Sequence, residues 1–118
     1  MKLIIAGGRE YQFTDQDTKT LDDIHKDFGI TEVLSGHSGG WQFSDYIYEW
    51  QLYGADRHGE HWARDNNIPY KMFIGQLQAM INKADSLIIF PGDGDYNGII
   101  GQAKGRGIKV FDPYKVGE

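Results

Sequence analysis

With 118 residues, no cysteine, three prolines and a formal charge of −5, the chain predicts one compact domain over residues 1–118, with a modest core. The acidic balance argues against sequence-independent binding to nucleic acid, which relies on clustered Lys and Arg, and no segment approaches the length of a membrane span. The apolar run after Met1 is too short for a signal peptide, so a cytoplasmic protein is expected, in keeping with the missing cysteines.

Residues 2–6 read as a buried strand. Thr14, with Asp17 three residues on, marks a helix start; Leu21, Ile24, His25 and Phe28 keep helical spacing, and Gly29 ends the helix. Residues 31–35 give a second strand, completing a βαβ unit. The order then breaks. Residues 37–53 hold six of the chain's 16 aromatics, and Tyr46, Tyr48, Trp50 and Leu52 alternate as in an extended strand or hairpin. These aromatics either fill a satellite core or subunit contact, or form a lid that stacks on a base.

Past the insertion, Ala55, Gly59, Trp62 and Ala63 share one face of a helix over about 54–66. A strand over 69–73, a short helix over 75–83, a strand over 86–90, a helix near 97–104 and a last strand over 109–111 complete the chain. Alternation of strand and helix predicts an α/β fold with a doubly wound, mainly parallel sheet of about five strands.

Three of these strands run into glycine turns: Gly7-Gly8-Arg9, Ser35-Gly36 and Pro91-Gly92-Asp93-Gly94. Parallel strands would gather them at the carboxyl edge of one sheet, where open α/β folds bind small molecules and where glycine lets backbone amides approach a phosphate or ribose. Arg9 is the candidate phosphate partner. The amides of Gly54 and Ala55 would open a helix toward an anion, and Asp56 would serve a ribose hydroxyl or a helix cap. Glu60 is a candidate contact whose simplest alternative is an ion pair with Arg64, four residues on. His37 and Ser38 follow the second strand directly, and Tyr96 and Asn97 suit stacking and hydrogen bonding near the last turn. Trp41, Phe43, Tyr46, Tyr48 and Trp50 are the candidate lid or interface.

Ala6-Gly7-Gly8-Arg9, Ser35-Gly36, the run from Gly54 through Asp56, Gly59 and Glu60 to Ala63, and Ala84-Asp85 before Leu87 to Gly94 together resemble the SLOG superfamily, more narrowly its DUF2493 or YspA-like branch. The resemblance spans nearly the whole chain and implies a Rossmann-like fold that binds nucleotides or nucleotide-derived ligands, often as a dimer or higher homo-oligomer. Relatives of that superfamily include phosphoribohydrolases of the lysine-decarboxylase-like group, the DNA-processing protein A family and sensors in bacterial defence. The chain departs from the family pattern at the 37–53 insertion, at the shortened stretch from Ile74 to Met80, and at the turn from Pro91 to Ile99. The Arg and Glu that resemblance to the hydrolases would require are not matched: Gln76 and Leu77 stand in the basic region, and Gly98 or Ile99 replaces the glutamate. Binding is therefore favoured over turnover.

No cofactor or metal is expected. The glycine-rich turn at 92–98 lies after the wrong strand for a dinucleotide fingerprint, and Lys104 takes the closing glutamate position of a calcium loop that Asp93, Asp95 and Asn97 otherwise imitate. What the resemblance to the SLOG superfamily implies is capture of an ADP-ribose-type or cyclic nucleotide signal, as by a phage or mobile-element anti-defence protein acting in the host cytoplasm. The alternatives are a nucleoside-monophosphate phosphoribohydrolase and a protein or nucleic-acid interaction module using the aromatics.

Overall fold

A computed structural model describes residues 1–92 and 98–114. The first strand, β1 (Lys2–Ala6), is apolar without interruption because both its faces are covered. Leu3 and Ile5 point into one core layer, with Leu21, Ile24, Trp62 and Ala63, while Ile4 and Ala6 point into the other, with Met80, Ile81, Ile99 and Ala103. Helices α1 (Asp15–Phe28) and α2 (Ala55–Asp65) thus cover one side, and α3 (Leu77–Lys83) and α4 (Ile99–Gly105) the other.

The sheet adds β2 (Glu32–Ser35), β5 (Tyr70–Met72), β6 (Ser86–Ile89) and β7 (Lys109–Phe111) in the order β5-β2-β1-β6-β7, all parallel. This is the Rossmann-like, doubly wound arrangement that the sequence predicts. The chain winds outward from β1 to β5, returns, and winds outward again through β6, so the order reverses between β1 and β6.

Helix α1 starts at the predicted capping box: Thr14 Oγ1 accepts from the Asp17 N–H, and Asp17 Oδ2 accepts from the Thr14 N–H. Gly29, at φ 69°, closes it. One residue on this helix departs from expectation. Phe28 is 48% exposed, because the last turn overhangs the edge strand β7, where its ring meets Phe111 edge-on and Lys109 Nζ lies 4.1 Å from its centroid. The remaining differences move element ends by one or two residues; Phe73, for example, leaves β5 but keeps a ladder-like bond from its N–H to the Ser35 carbonyl at 2.7 Å.

Residues 37–53 form a hairpin outside the main sheet, β3 (Gly40–Ser44) paired antiparallel with β4 (Glu49–Tyr53). Of the alternating set, Trp50 and Leu52 lie on a strand, whereas Tyr46 and Tyr48 belong to the turn. His58 on α2 ties the hairpin down: Nε2 donates to the Leu52 carbonyl at 3.0 Å, and the ring stacks on Phe13 with centroids 5.0 Å apart. Among the described residues, no helix is long and apolar enough to cross a membrane.

Two stability predictions follow from this packing. A Cβ on Gly59 would stand 2.6 Å from Ile5 Cγ2, in the middle of the central strand. Overpacking of about 1–3 kcal/mol then outweighs the roughly 1 kcal/mol of helix propensity that alanine adds. Urea unfolding should therefore show Gly59→Ala destabilised, whereas Gly101→Ala on α4, where a Cβ meets nothing, gains about 0.5–1 kcal/mol. The second concerns acid. Burial lowers the pKa of His58 from 6.5, opposed by its bond to Leu52, and burial followed by Arg64 and Arg57 lowers that of His61. The unfolded chain takes up protons that the native state refuses, so stability is held above pH 6.5 and lost as pH falls below it. Unfolding midpoints measured from about pH 7 to about pH 5 should fall, and less steeply in His58→Gln, which keeps a donor for Leu52.

Candidate functional site

The glycine turns after β1 and β6 meet at the point where strand order reverses. Gly8 N–H donates to the Pro91 carbonyl at 3.1 Å, and a Cβ on Gly8 would stand 2.7 Å from Gly92 Cα. Gly7 packs as tightly, its would-be Cβ 2.7 Å from the Phe90 carbonyl oxygen and 2.8 Å from Ala55 Cβ. Glycine is required at Gly8 by backbone meeting backbone. The start of α2 is equally occupied: the Ala55 N–H donates to Gly8 O at 3.1 Å and the Gly54 N–H to Tyr11 O at 2.8 Å. These two amides do not open toward an anion, because the β1 loop folds over them.

Asp56, 1% exposed, accepts the Ser38 N–H on Oδ2 at 3.1 Å. It fastens the loop after β2 to α2, a role for which neither a ribose contact nor a helix cap is the description.

One turn further along α2, Glu60 is 5% exposed and sits at the carboxyl end of β2. Its Oε2 accepts the Ser35 hydroxyl at 2.6 Å, and both its oxygens lie within 3.0 Å of His37 Nδ1, at 2.8 Å for Oε2 and 3.0 Å for Oε1. Arg57 Nε stands 3.8 Å from Oε1. The ion pair with Arg64 does not form: Glu60 turns inward beside Gly59, while Arg64 stays on the surface and pairs with Asp65 at 3.4 Å. A buried carboxylate costs several kcal/mol unless donors surround it, and Ser35 and His37 supply them. Ser35 Oγ in turn accepts the His37 N–H at 3.0 Å. His37 adopts φ 62°, a left-handed conformation that a non-glycine residue holds at a cost of order 1 kcal/mol. A carboxylate only accepts, so Nδ1 carries the proton and Nε2 is the ring nitrogen that Glu60 leaves available.

His37 also lines a cleft of about 350 Å³, with Arg9, Glu10, Ser38, Gln42 and Tyr53 around it. Arg9 Nε donates to Ser38 Oγ at 3.3 Å, so Arg9 and His37 line the same cleft. A second cavity, of about 490 Å³, lies across the Gly8–Gly92 contact between the ends of β6 and β7, lined by Pro91, Gly92, Ile100, Phe111, Pro113 and Tyr114 among others. The smaller cleft is the candidate site, because it joins a cation, a carboxylate-backed imidazole and hydroxyls from three separate segments.

Of the residues singled out from sequence, Arg9, Ser35, His37 and Glu60 therefore converge, Gly36 connects them, and Gly7, Gly8, Gly54, Ala55, Pro91 and Gly92 build the backbone seam beneath. Asp93, Gly94, Tyr96 and Asn97 lie outside the described residues. The aromatics stand elsewhere. Register pairs Trp41 with Leu52 and Phe43 with Trp50 on one hairpin face, and Gln42 with Gln51 and Gly40 with Tyr53 on the other. Only the second face lines the cleft. Sequence reasoning passed over Gln42, Tyr53 and Arg57; the first two are found by counting alternate positions from the aromatics, once the hairpin register is known.

Comparison with known proteins gives no matching family and no matching curated sequence. Fold and site define the class alone: an α/β protein with a Rossmann-like sheet and a polar cleft at its carboxyl edge.

The tautomer of His37 tests the geometry. Long-range ¹H–¹⁵N spectra of the wild type should show the neutral ring protonated on Nδ1, and Glu60→Gln should lose that preference. An Nε2-protonated wild type would contradict the contact with Glu60.

Proposed function

We propose that the protein binds a nucleotide-derived small molecule, with an anionic group held by Arg9 beside His37 and Ser38. The observation that carries this reading is the convergence of Arg9 with the Glu60-backed imidazole in a cleft at the carboxyl edge of a parallel sheet, the usual position of ligands in open α/β folds. A planar guanidinium suits a phosphate, and hydroxyl and amide groups from Ser38, Gln42 and Tyr53 suit a ribose. Resemblance to the SLOG superfamily supports the same ligand class. An ADP-ribose-type or cyclic signal, captured by a homo-oligomer, fits this reading, as does an anti-defence role in a phage or mobile element.

A second reading, hydrolysis of a nucleoside monophosphate, is favoured by one observation: a buried carboxylate orients the His37 ring so that Nε2 is left for proton transfer. Release of free base from AMP by the wild type, lost in His37→Ala, would establish turnover in place of capture.

Calorimetry against ADP-ribose, AMP, ADP and cyclic derivatives tests the leading reading. At least one should bind, and Arg9→Ala should weaken it about tenfold to a hundredfold, the value of one charge-assisted hydrogen bond. Binding of none of them by folded protein, or equal affinity in Arg9→Ala, would sink it.

A further inference from the structure

The hairpin has two unlike faces. Trp41, Phe43, Trp50 and Leu52 share one of them, and no charged residue stands on it. Trp41 meets His61 of α2 edge-on with centroids 5.8 Å apart, and Phe43 meets Trp50 at 5.6 Å. Even so, Trp41, Phe43 and Trp50 remain 51%, 46% and 66% exposed, and Tyr48 at the turn 79%. Two-stranded hairpins are marginal in water and need a further layer over an apolar face.

We infer that this face docks against the same face of a second copy of the chain, the two hairpins stacking across a two-fold axis into a four-stranded sandwich. Three observations select this occupant. An uncharged, aromatic face is complementary to itself, as an isologous contact requires, and stacked sheets interleave such side chains at about 10 Å. Trp41, Phe43, Trp50 and the adjoining Tyr48 expose roughly 500 Å² per copy, so a pair that covers them buries up to about 1,000 Å², the size of a weak, concentration-dependent contact. Finally, residues 37–53 contain no Lys or Arg and do contain Asp45 and Glu49, which disfavours nucleic acid and anionic lipid as the partner. The dimer specifies the oligomer in the reading above and does not depend on its ligand. The polar face, with Gln42 and Tyr53, still lines each copy's own cleft.

Sedimentation velocity over about 1–200 μM tests the inference. The wild type should pass from a 13.4 kDa monomer to twice that mass with rising concentration, and its tryptophan emission should shift red on dilution as Trp41 and Trp50 return to water. Trp50→Ser should weaken association at least tenfold, and Phe43→Ser with Trp50→Ser should leave a folded monomer with an unchanged far-ultraviolet spectrum. Arg9→Ala should dimerise like the wild type, so loss of nucleotide binding there and loss of the dimer are read separately. A wild type that is monomeric throughout the range overturns the inference, whether or not it binds liposomes or single-stranded DNA. So does a dimer that the Phe43 and Trp50 substitutions leave unchanged.

Discussion

The depth to which α2 sinks onto β1 governs the rest of the carboxyl edge. Gly59 has no side chain to hold the helix away from Ile5, so the backbone of α2 comes close to the central strand. The next residue goes down with it. Glu60 is thereby placed under the end of β2, out of water, where a carboxylate is tolerated only among donors. Ser35 and His37 provide them, and that demand explains why His37 accepts a left-handed backbone and why its ring presents one nitrogen inward and leaves the other. Asp56, one turn earlier, fixes the same loop through the Ser38 amide. A close helix–strand packing and a polar cluster are consequently one feature.

The second organising constraint is the meeting of two backbones at Gly8 and Gly92. It joins the β1 and β6 loops where strand order reverses, the place at which comparable sheets leave a crevice. The carboxyl edge then has a cleft on either side of the seam. On one side stand Arg9, His37 and the polar half of the hairpin; on the other, a cavity between β6 and β7 whose mainly apolar lining includes Lys104 and Asp112. Period-two geometry divides the hairpin itself: Gln42 and Tyr53 face the cleft, and Trp41, Phe43 and Trp50 face away.

Most of the fold is legible in the chain. The uninterrupted run from Leu3 to Ala6 announces a strand covered on both faces, Thr14 with Asp17 announces a helix start, and regular alternation of elements leaves a parallel sheet as the natural solution. Less of the site is legible. Glu60 and Arg64 stand four apart, and spacing alone makes them partners, yet the inward turn of Glu60 depends on how closely α2 approaches Ile5. Gly54 and Ala55 look like open amides at a helix start, yet the carbonyls of Tyr11 and Gly8 occupy them.

Sequence by itself determined the elements and the gathering of the β1 and β2 loops at one edge, because both follow from local propensity, capping and the handedness of strand–helix–strand connections. Tertiary structure decided which glycines serve packing, which carboxylate is buried, and which hairpin face meets the cleft. Those outcomes depend on contacts between segments far apart in the chain, such as Ile5 with Gly59, Ser35 with Glu60 and Gly8 with Gly92, and no local pattern carries such distances.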